Sequence, residues 1–155
     1  MDAMQRFIQA AELAGFLVEA EKFPDGTRTA KDAAAAVGCE LAQIVKSLVF
    51  VHGESPYLVL ASGKNRVDES LVAKVMGVES LSIATPDQVR EATGFAIGGT
   101  PPFGHLTTIP TTLDSDLFSY ETVWAAAGTP DSCFPISPKD LEKISAAVVA
   151  DVAAA

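Results

Sequence analysis

Two runs, "IVKSLVFV" (44–51) and "YLVLAS" (57–62), limit the folds open to this chain more than any other feature. Each is rich in β-branched and aliphatic residues, and "HGESP" between them suits a hairpin connection. Side chains alternate across a strand. One face of the first run carries Ile44, Lys46, Leu48 and Phe50, and the other carries Val45, Ser47, Val49 and Val51. Both faces are apolar, so the strand belongs in the middle of a sheet. Lys46 then lies in the middle of an oily strand. There an ammonium group is costly unless it meets an anion or a wet cavity, or snorkels out past the sheet rim.

The rest of the chain alternates helix and strand signals without a regular βαβ rhythm. Residues 2–14 read as a helix, with Asp2 as cap, Met4, Phe7, Ile8 and Ala11 on one face, and Gly15 as stop. "FLVEAEKF" reads as a strand. Thr29 with Asp32 resembles a capping box before the short helix "AKDAAAAVG". Asp68 caps a helix running through Met76, and "SLSIA" is a short strand. "TPDQVREATG" carries a cap at Thr85, a first-turn proline and a closing Gly94. "FAIGG" reads as a strand, and "LTTIPTTLD" as an edge strand or extended segment, because Pro110 cannot donate to a ladder. "ETVWAAAG" and "SCFPIS" read as strands around a "TPD" turn. A final helix covers roughly "PKDLEKISAAVVADV", with fraying alanines after it. The expected fold is α+β: one domain over residues 1–155, with a mixed, mostly antiparallel, barrel-like sheet surrounded by helices.

Composition narrows the function. No apolar run approaches the ~20 residues of a membrane-crossing helix. Only two cysteines occur, Cys39 and Cys133, and no Cys/His cluster has metal-ligand spacing, so no metal is expected. The expectation is a reduced cytoplasmic chain with neither membrane nor cofactor. A net charge of −9 argues against DNA and against general nucleic-acid binding. The charge is uneven, however: residues 28–66 hold five basic and three acidic side chains, leaving the acidic excess elsewhere. That segment can serve as a local anion site or as an ordinary solvated surface.

The stretch "GFAIGGTPPFGH" (94–105) concentrates conformational control in one loop. Successive glycines can leave backbone N–H groups free for a carbonyl oxygen or a developing oxyanion, and prolines would hold them in place. The same composition also serves a purely structural turn, and His105 fits a turn as well as a site. The loop has neither dinucleotide-fingerprint nor P-loop spacing, and no serine-hydrolase elbow or HExxH occurs. The nearest carboxylate downstream of His105 is Asp114. "ASGKNRVD" reads as a solvated hairpin tip or as a site entrance. Phe23, Phe103 and Trp124 read as core or as pocket lining.

Taken together, "TAKDAAAAVGCELAQIVKSLVF", "LVLASGKNRVDESLVAKVMG", "TPDQVREATGFAIGGTPPFGH", "VWAAAGTP" and "FPISPKDL" resemble the YbaK/ProX family. These are freestanding relatives of the editing domain of bacterial prolyl-tRNA synthetase. The resemblance runs from about residue 20 to about residue 145, in the family order. It implies hydrolysis of the ester joining a small wrong amino acid (alanine, cysteine, serine or 2-aminobutyrate) to the end of a tRNA, usually tRNA(Pro). It implies the acceptor end of a mischarged tRNA as partner, with prolyl-tRNA synthetase as a second. The family lysine matches Lys46, and the family glycine loop matches Gly98 and Gly99; the resemblance gives these three the catalytic roles. Substrate contacts fall to Thr29, Ser47, Gly104, His105, Ala127 and Gly128. Ser47 stands where several relatives carry threonine, and Ala127 where relatives often carry serine. The alternative is a non-catalytic module that grips aminoacyl-adenosine or tRNA ends, or docks on a synthetase.

Overall fold

The computed structural model describes residues 1–155. The central hairpin forms as its pattern requires. β2 (Ile44–His52) and β3 (Ser55–Ser62) pair antiparallel from Val45–Ser62 to His52–Ser55. The remaining elements are α1 (Ala3–Leu13), β1 (Glu21–Lys22), α2 (Ala30–Val37), α3 (Glu69–Met76), β4 (Ser82–Ile83) and α4 (Pro86–Thr93). They are followed by β5 (Thr111–Asp114), β6 (Val123–Ala126), β7 (Ser132–Ile136), α5 (Pro138–Ser145) and β8 (Val148–Ala150). The sheet order is β1-β7-β6-β2-β3-β5-β8, with β4 also on β2. It is mixed and mostly antiparallel: β2–β6, β3–β5 and β5–β8 are the parallel pairs. The path does not close on itself.

Strand alternation divides the core in two. Val45, Val49, Leu58, Leu60, Leu113 and Ala125 face Phe7 and Ala11 of α1, Val89 of α4 and Leu141 of α5. On the opposite face, Phe50, Val59 and Ala61 meet Val72 and Ala73 of α3, while Ile44 and Cys133 meet Ala33 and Ala34 of α2. Helix ends follow their caps. Asp2 and Thr85 form full capping boxes, Thr29 accepts from the Asp32 N–H, and Gly38, Gly77 and Gly94 close their helices in the left-handed region. No helix is long and apolar enough to cross a membrane.

Five expectations differ from the structure. Of "FLVEAEKF", only Glu21 and Lys22 pair, against Cys133 and Ser132 of β7. "FAIGG" is a turn, not a strand: the Gly99 N–H folds back onto the Ala96 carbonyl at 3.0 Å. β5 is no edge. It lies between β3 and β8, with Pro110 just outside it, so the missing proline donor costs no rung. The last helix stops at Ser145, where Ala146 adopts a left-handed φ of 53°, and Val148–Ala150 become β8. The C-terminus is also held: Val152 is fully buried and the Ala154 N–H bonds the Arg66 carbonyl at 2.8 Å.

Candidate functional site

The sheet splits beside β2, and the split makes a cavity. β6 pairs with β2 only at Ile44–Trp124 and Val45–Ala125, and β4 begins only at Phe50. Between these contacts, Lys46–Leu48 have β3 on one side and no strand on the other. Residues 27–30 and the 97–100 turn lie across this gap and enclose a cavity of about 230 Å³. Its walls are small or apolar: Ala30, Ala33, Ala125, Ala126, Ile97 and Trp124. Thr29, Lys46, Ser47 and Gly98 line it as well.

Two of these four, Thr29 and Lys46, are held by hydrogen bonds, and the other two present unpaired groups. Thr29 is held as the cap of α2, at 3.1 Å from the Asp32 N–H. The preceding Thr27 is tied by its N–H to the Pro130 carbonyl at 2.7 Å, which fixes where residues 28 and 29 enter the cavity. Lys46 Nζ donates to the Asn65 carbonyl in the turn after β3. Desolvation pushes its pKa below the ordinary lysine value, and the negative charge of Asp114 partly opposes this. Ser47 Oγ is buried with no hydrogen-bond partner in the protein, which suits a ligand contact. Gly98 has a φ of 87° and its N–H meets no protein acceptor. A Cβ there would stand 2.9 Å from Cγ of Arg28, so the arginine stem lies directly over the glycine.

The other expected residues lie outside the cavity lining, for physical reasons. Gly99 is buried against backbone, where a Cβ would come within 2.8 Å of the Thr129 carbonyl carbon; its N–H is already used by Ala96. Ala127 is fully buried and its N–H bonds the Ser132 carbonyl. Gly128, at φ 103°, packs on the Ala3 carbonyl at the start of α1. Gly104 sits against Ala10 and Phe7, and His105 beside it lines a separate depression with Arg6, Gln9 and Leu13. Asp114 does not face His105; it bonds Ser62, Asn65 and Asp116.

The proline-rich part of the loop is thus an anchor. Pro101, Pro102 and Phe103 are buried. The Phe103 ring lies 5.1 Å from Phe7 and 5.9 Å from Phe134, inside an aromatic cluster that also includes Phe16. His105 Nε2 donates to the Pro101 carbonyl at 2.7 Å and closes the turn. Anchored at one end, the loop presents Gly98 rigidly at the other.

Burial pushes the His105 pKa below its ordinary 6.5, with the Pro101 hydrogen bond opposing. The unfolded chain therefore takes up a proton near pH 6.5 that the folded chain resists. Stability is unaffected above that value and falls as the pH drops through and below it. Melting temperatures between pH 7.5 and 5.5 should fall more steeply for the wild type than for His105→Gln; coincident slopes would contradict a neutral, buried imidazole.

Several cavity residues carried no decisive mark in the sequence: Arg28, Thr100, Ala125, Ala126 and Cys133. Alternation along β6 could have indicated only that Trp124 and Ala126 share a face. Burial pushes the Cys133 thiol pKa up, so it lines the wall as a neutral group and not as a nucleophile. No three His, Cys, Asp or Glu side chains converge as metal ligands. The arrangement offers two cations, Lys46 and Arg28, the free Gly98 N–H and the unpaired Ser47 hydroxyl in a small-walled cavity. It suits stabilising charge on a small polar group held there.

Comparison with known proteins agrees with this architecture. Residues 24–144 match the model of the aminoacyl-tRNA editing domain. The uncharacterized protein YwhH of Bacillus subtilis is 32% identical over 125 residues, which span 80% of this chain and 79% of that protein. The proline–tRNA ligase of Nitratidesulfovibrio vulgaris is 33% identical over 79 residues, which cover 51% of this chain but 14% of the ligase. A solved structure proposed as a trans-editing enzyme for prolyl-tRNA synthetase superposes with a TM-score of 0.94 at 49% identity, covering 100% of this chain and 99% of that one. The chain belongs to the aminoacyl-tRNA editing domain family.

Proposed function

We propose that this chain is a trans-editing deacylase that hydrolyses small amino acids from mischarged tRNA(Pro), without metal or organic cofactor. The observation that carries the reading is the meeting of Lys46, Ser47 and the free Gly98 N–H around one cavity of about 230 Å³. An aminoacyl ester is already activated, so a protein nucleophile is not needed. Positioning a water and stabilising the tetrahedral oxyanion suffice.

In this scheme the aminoacyl group enters between β2 and the 97–100 turn. Water attacks the carbonyl carbon and the carbonyl oxygen becomes an oxyanion. The Gly98 N–H and the Lys46 ammonium stabilise that charge, and Ser47 Oγ bonds the substrate. Collapse expels the ribose oxygen, which takes a proton as it leaves, and frees the amino acid. A ribose hydroxyl of the substrate, as the family resemblance implies, helps relay the proton from water. Arg28 on the cavity wall contacts the terminal phosphate, which reconciles a chain of charge −9 with an RNA substrate. The alanine-lined walls favour small side chains, where one methylene is worth about 1–3 kcal/mol.

The test is hydrolysis of alanyl-, cysteinyl-, seryl- and 2-aminobutyryl-tRNA(Pro), with prolyl-tRNA(Pro) as the cognate control. At least one small ester should be cleaved much faster than the cognate. Tight binding of a non-hydrolysable aminoacyl-adenosine analogue with no turnover of any ester would replace the deacylase with a binding module.

A further inference from the structure

The cavity accounts for Lys46 but not for what stands behind it. Asp114, at the end of β5, is 0% exposed, and both of its carboxylate oxygens are hydrogen-bonded. Oδ2 accepts from the Ser62 N–H at 3.0 Å and from Asn65 Nδ2 at 2.8 Å; Oδ1 accepts from the Asp116 N–H at 3.0 Å. Asn65 Nδ2 also donates to Asp116 Oδ2 at 2.8 Å. The Asn65 amide is therefore clamped between two carboxylates. Its backbone N–H is fixed as well, on the Ser62 carbonyl at 3.0 Å. The backbone carbonyl of that residue receives the Lys46 ammonium.

We propose that Asp114 and Asn65 form a brace that sets where the Lys46 ammonium is presented to the cavity. Both are positioning residues: neither lines the cavity, and each acts through Lys46. The inference rests on the deacylase reading for its kinetic part only. The physical basis is preorganisation. A lysine on a four-carbon stem is a poor fixed charge unless its head group is tethered, and misplacing a charge by about 1 Å can cost up to a hundredfold in rate. A buried carboxylate is an expensive component to keep in a fold. Joining β3 to β5 could be done by apolar packing, but fixing an ammonium acceptor could not. The charged groups around Lys46 are Asp114 and Asp116 beyond β5, Lys64 of the β3–α3 turn, 3.8 Å from Asp116, and Arg28 across the cavity.

The brace is tested by titrating Lys46 Nζ by NMR in the full chain with labelled lysine, the signal being assigned by its loss in Lys46→Arg. In Asp114→Asn the Lys46 pKa should fall, because burial remains and the opposing negative charge is gone. In Asn65→Ala, which leaves the carboxylate in β5, kcat should fall by roughly tenfold or more with KM nearly unchanged, while the melting temperature drops only as far as the lost amide–carboxylate hydrogen bonds require and the chain stays folded at the assay temperature. A Lys46 titration identical to wild type in Asp114→Asn would overturn the brace. If Asp114→Asn does not fold, a wild-type kcat in Asn65→Ala overturns it equally. Absence of deacylation in the wild type would sink the functional reading alone; the NMR titrations of Asp114→Asn and of Asn65→Ala, whose Lys46 curve must also depart from wild type, would still decide the brace.

Discussion

Lys46→Ala is expected to lower the deacylation rate by about two to three orders of magnitude, the loss seen when one preorganised oxyanion donor is removed. The same change should leave the melting temperature within a few degrees. Lys46 is only half-buried, and its ammonium has a single protein acceptor, the Asn65 carbonyl. Removing a partly desolvated cation costs the fold little, because its Coulombic gain is offset by its desolvation. The pH dependence follows from the lowered lysine pKa. In the proposed mechanism the stabilising cation is lost as pH rises through a value below the ordinary 10.5, so the alkaline limb of the enzyme-dependent rate should begin earlier than an exposed lysine would give. Stability runs the other way. Between the folded and unfolded values the unfolded chain holds more protons, so stability rises with pH across that window. Lys46→Arg keeps the charge and should remove that alkaline limb. Equal rates for wild type and Lys46→Ala would take the lysine out of the mechanism.

What the sequence reveals here is what depends on near neighbours. The period-two pattern of 44–51 placed Lys46 and Ser47 on a central strand, and both line the cavity because β2 loses its β6 partner after Val45. Caps, also local, located α1, α3 and α4. The misread segments are those decided by distant pairing. "AAVVADV" has a helical alanine content, yet β8 forms because Val148–Ala150 find a parallel partner in β5; tertiary pairing overrides propensity. In "GGTPPFGH" the composition announces rigidity but not its direction. Phe103 turns inward to the aromatic cluster, so of this stretch Gly98 and Thr100 reach the cavity and the rest does not. The Asn65–Asp114 contact behind Lys46 is illegible for the same reason, since the two residues are 49 apart and meet only when β5 adds to β3.

The loop glycines should separate by what their missing side chains make room for. Gly128→Ala is expected to destabilise the fold by about 3 kcal/mol or more, combining a left-handed φ with overpacking. At φ 103° a Cβ would lie 2.7 Å from the Ala3 carbonyl oxygen and 3.2 Å from the Phe95 ring. Neither can swing aside: the first is backbone at the start of α1, and Phe95 is buried. Gly98→Ala has comparable backbone strain at φ 87°, but its one close Cβ contact is with the flexible Arg28 side chain, so about 1–2 kcal/mol is expected. Gly99→Ala falls between them, without positive φ but against the Thr129–Pro130 backbone. Urea unfolding with unchanged m-values would rank the three. Gly98→Ala should lose activity out of proportion to its small loss of stability, because in the proposed mechanism its N–H stabilises the oxyanion and the strained backbone would misplace that donor. Gly128→Ala should lose activity only as far as it unfolds. If Gly128→Ala unfolded at the wild-type urea concentration, the close packing of this turn on α1 would be wrong, and with it the claim that a rigid frame holds Gly98 in place.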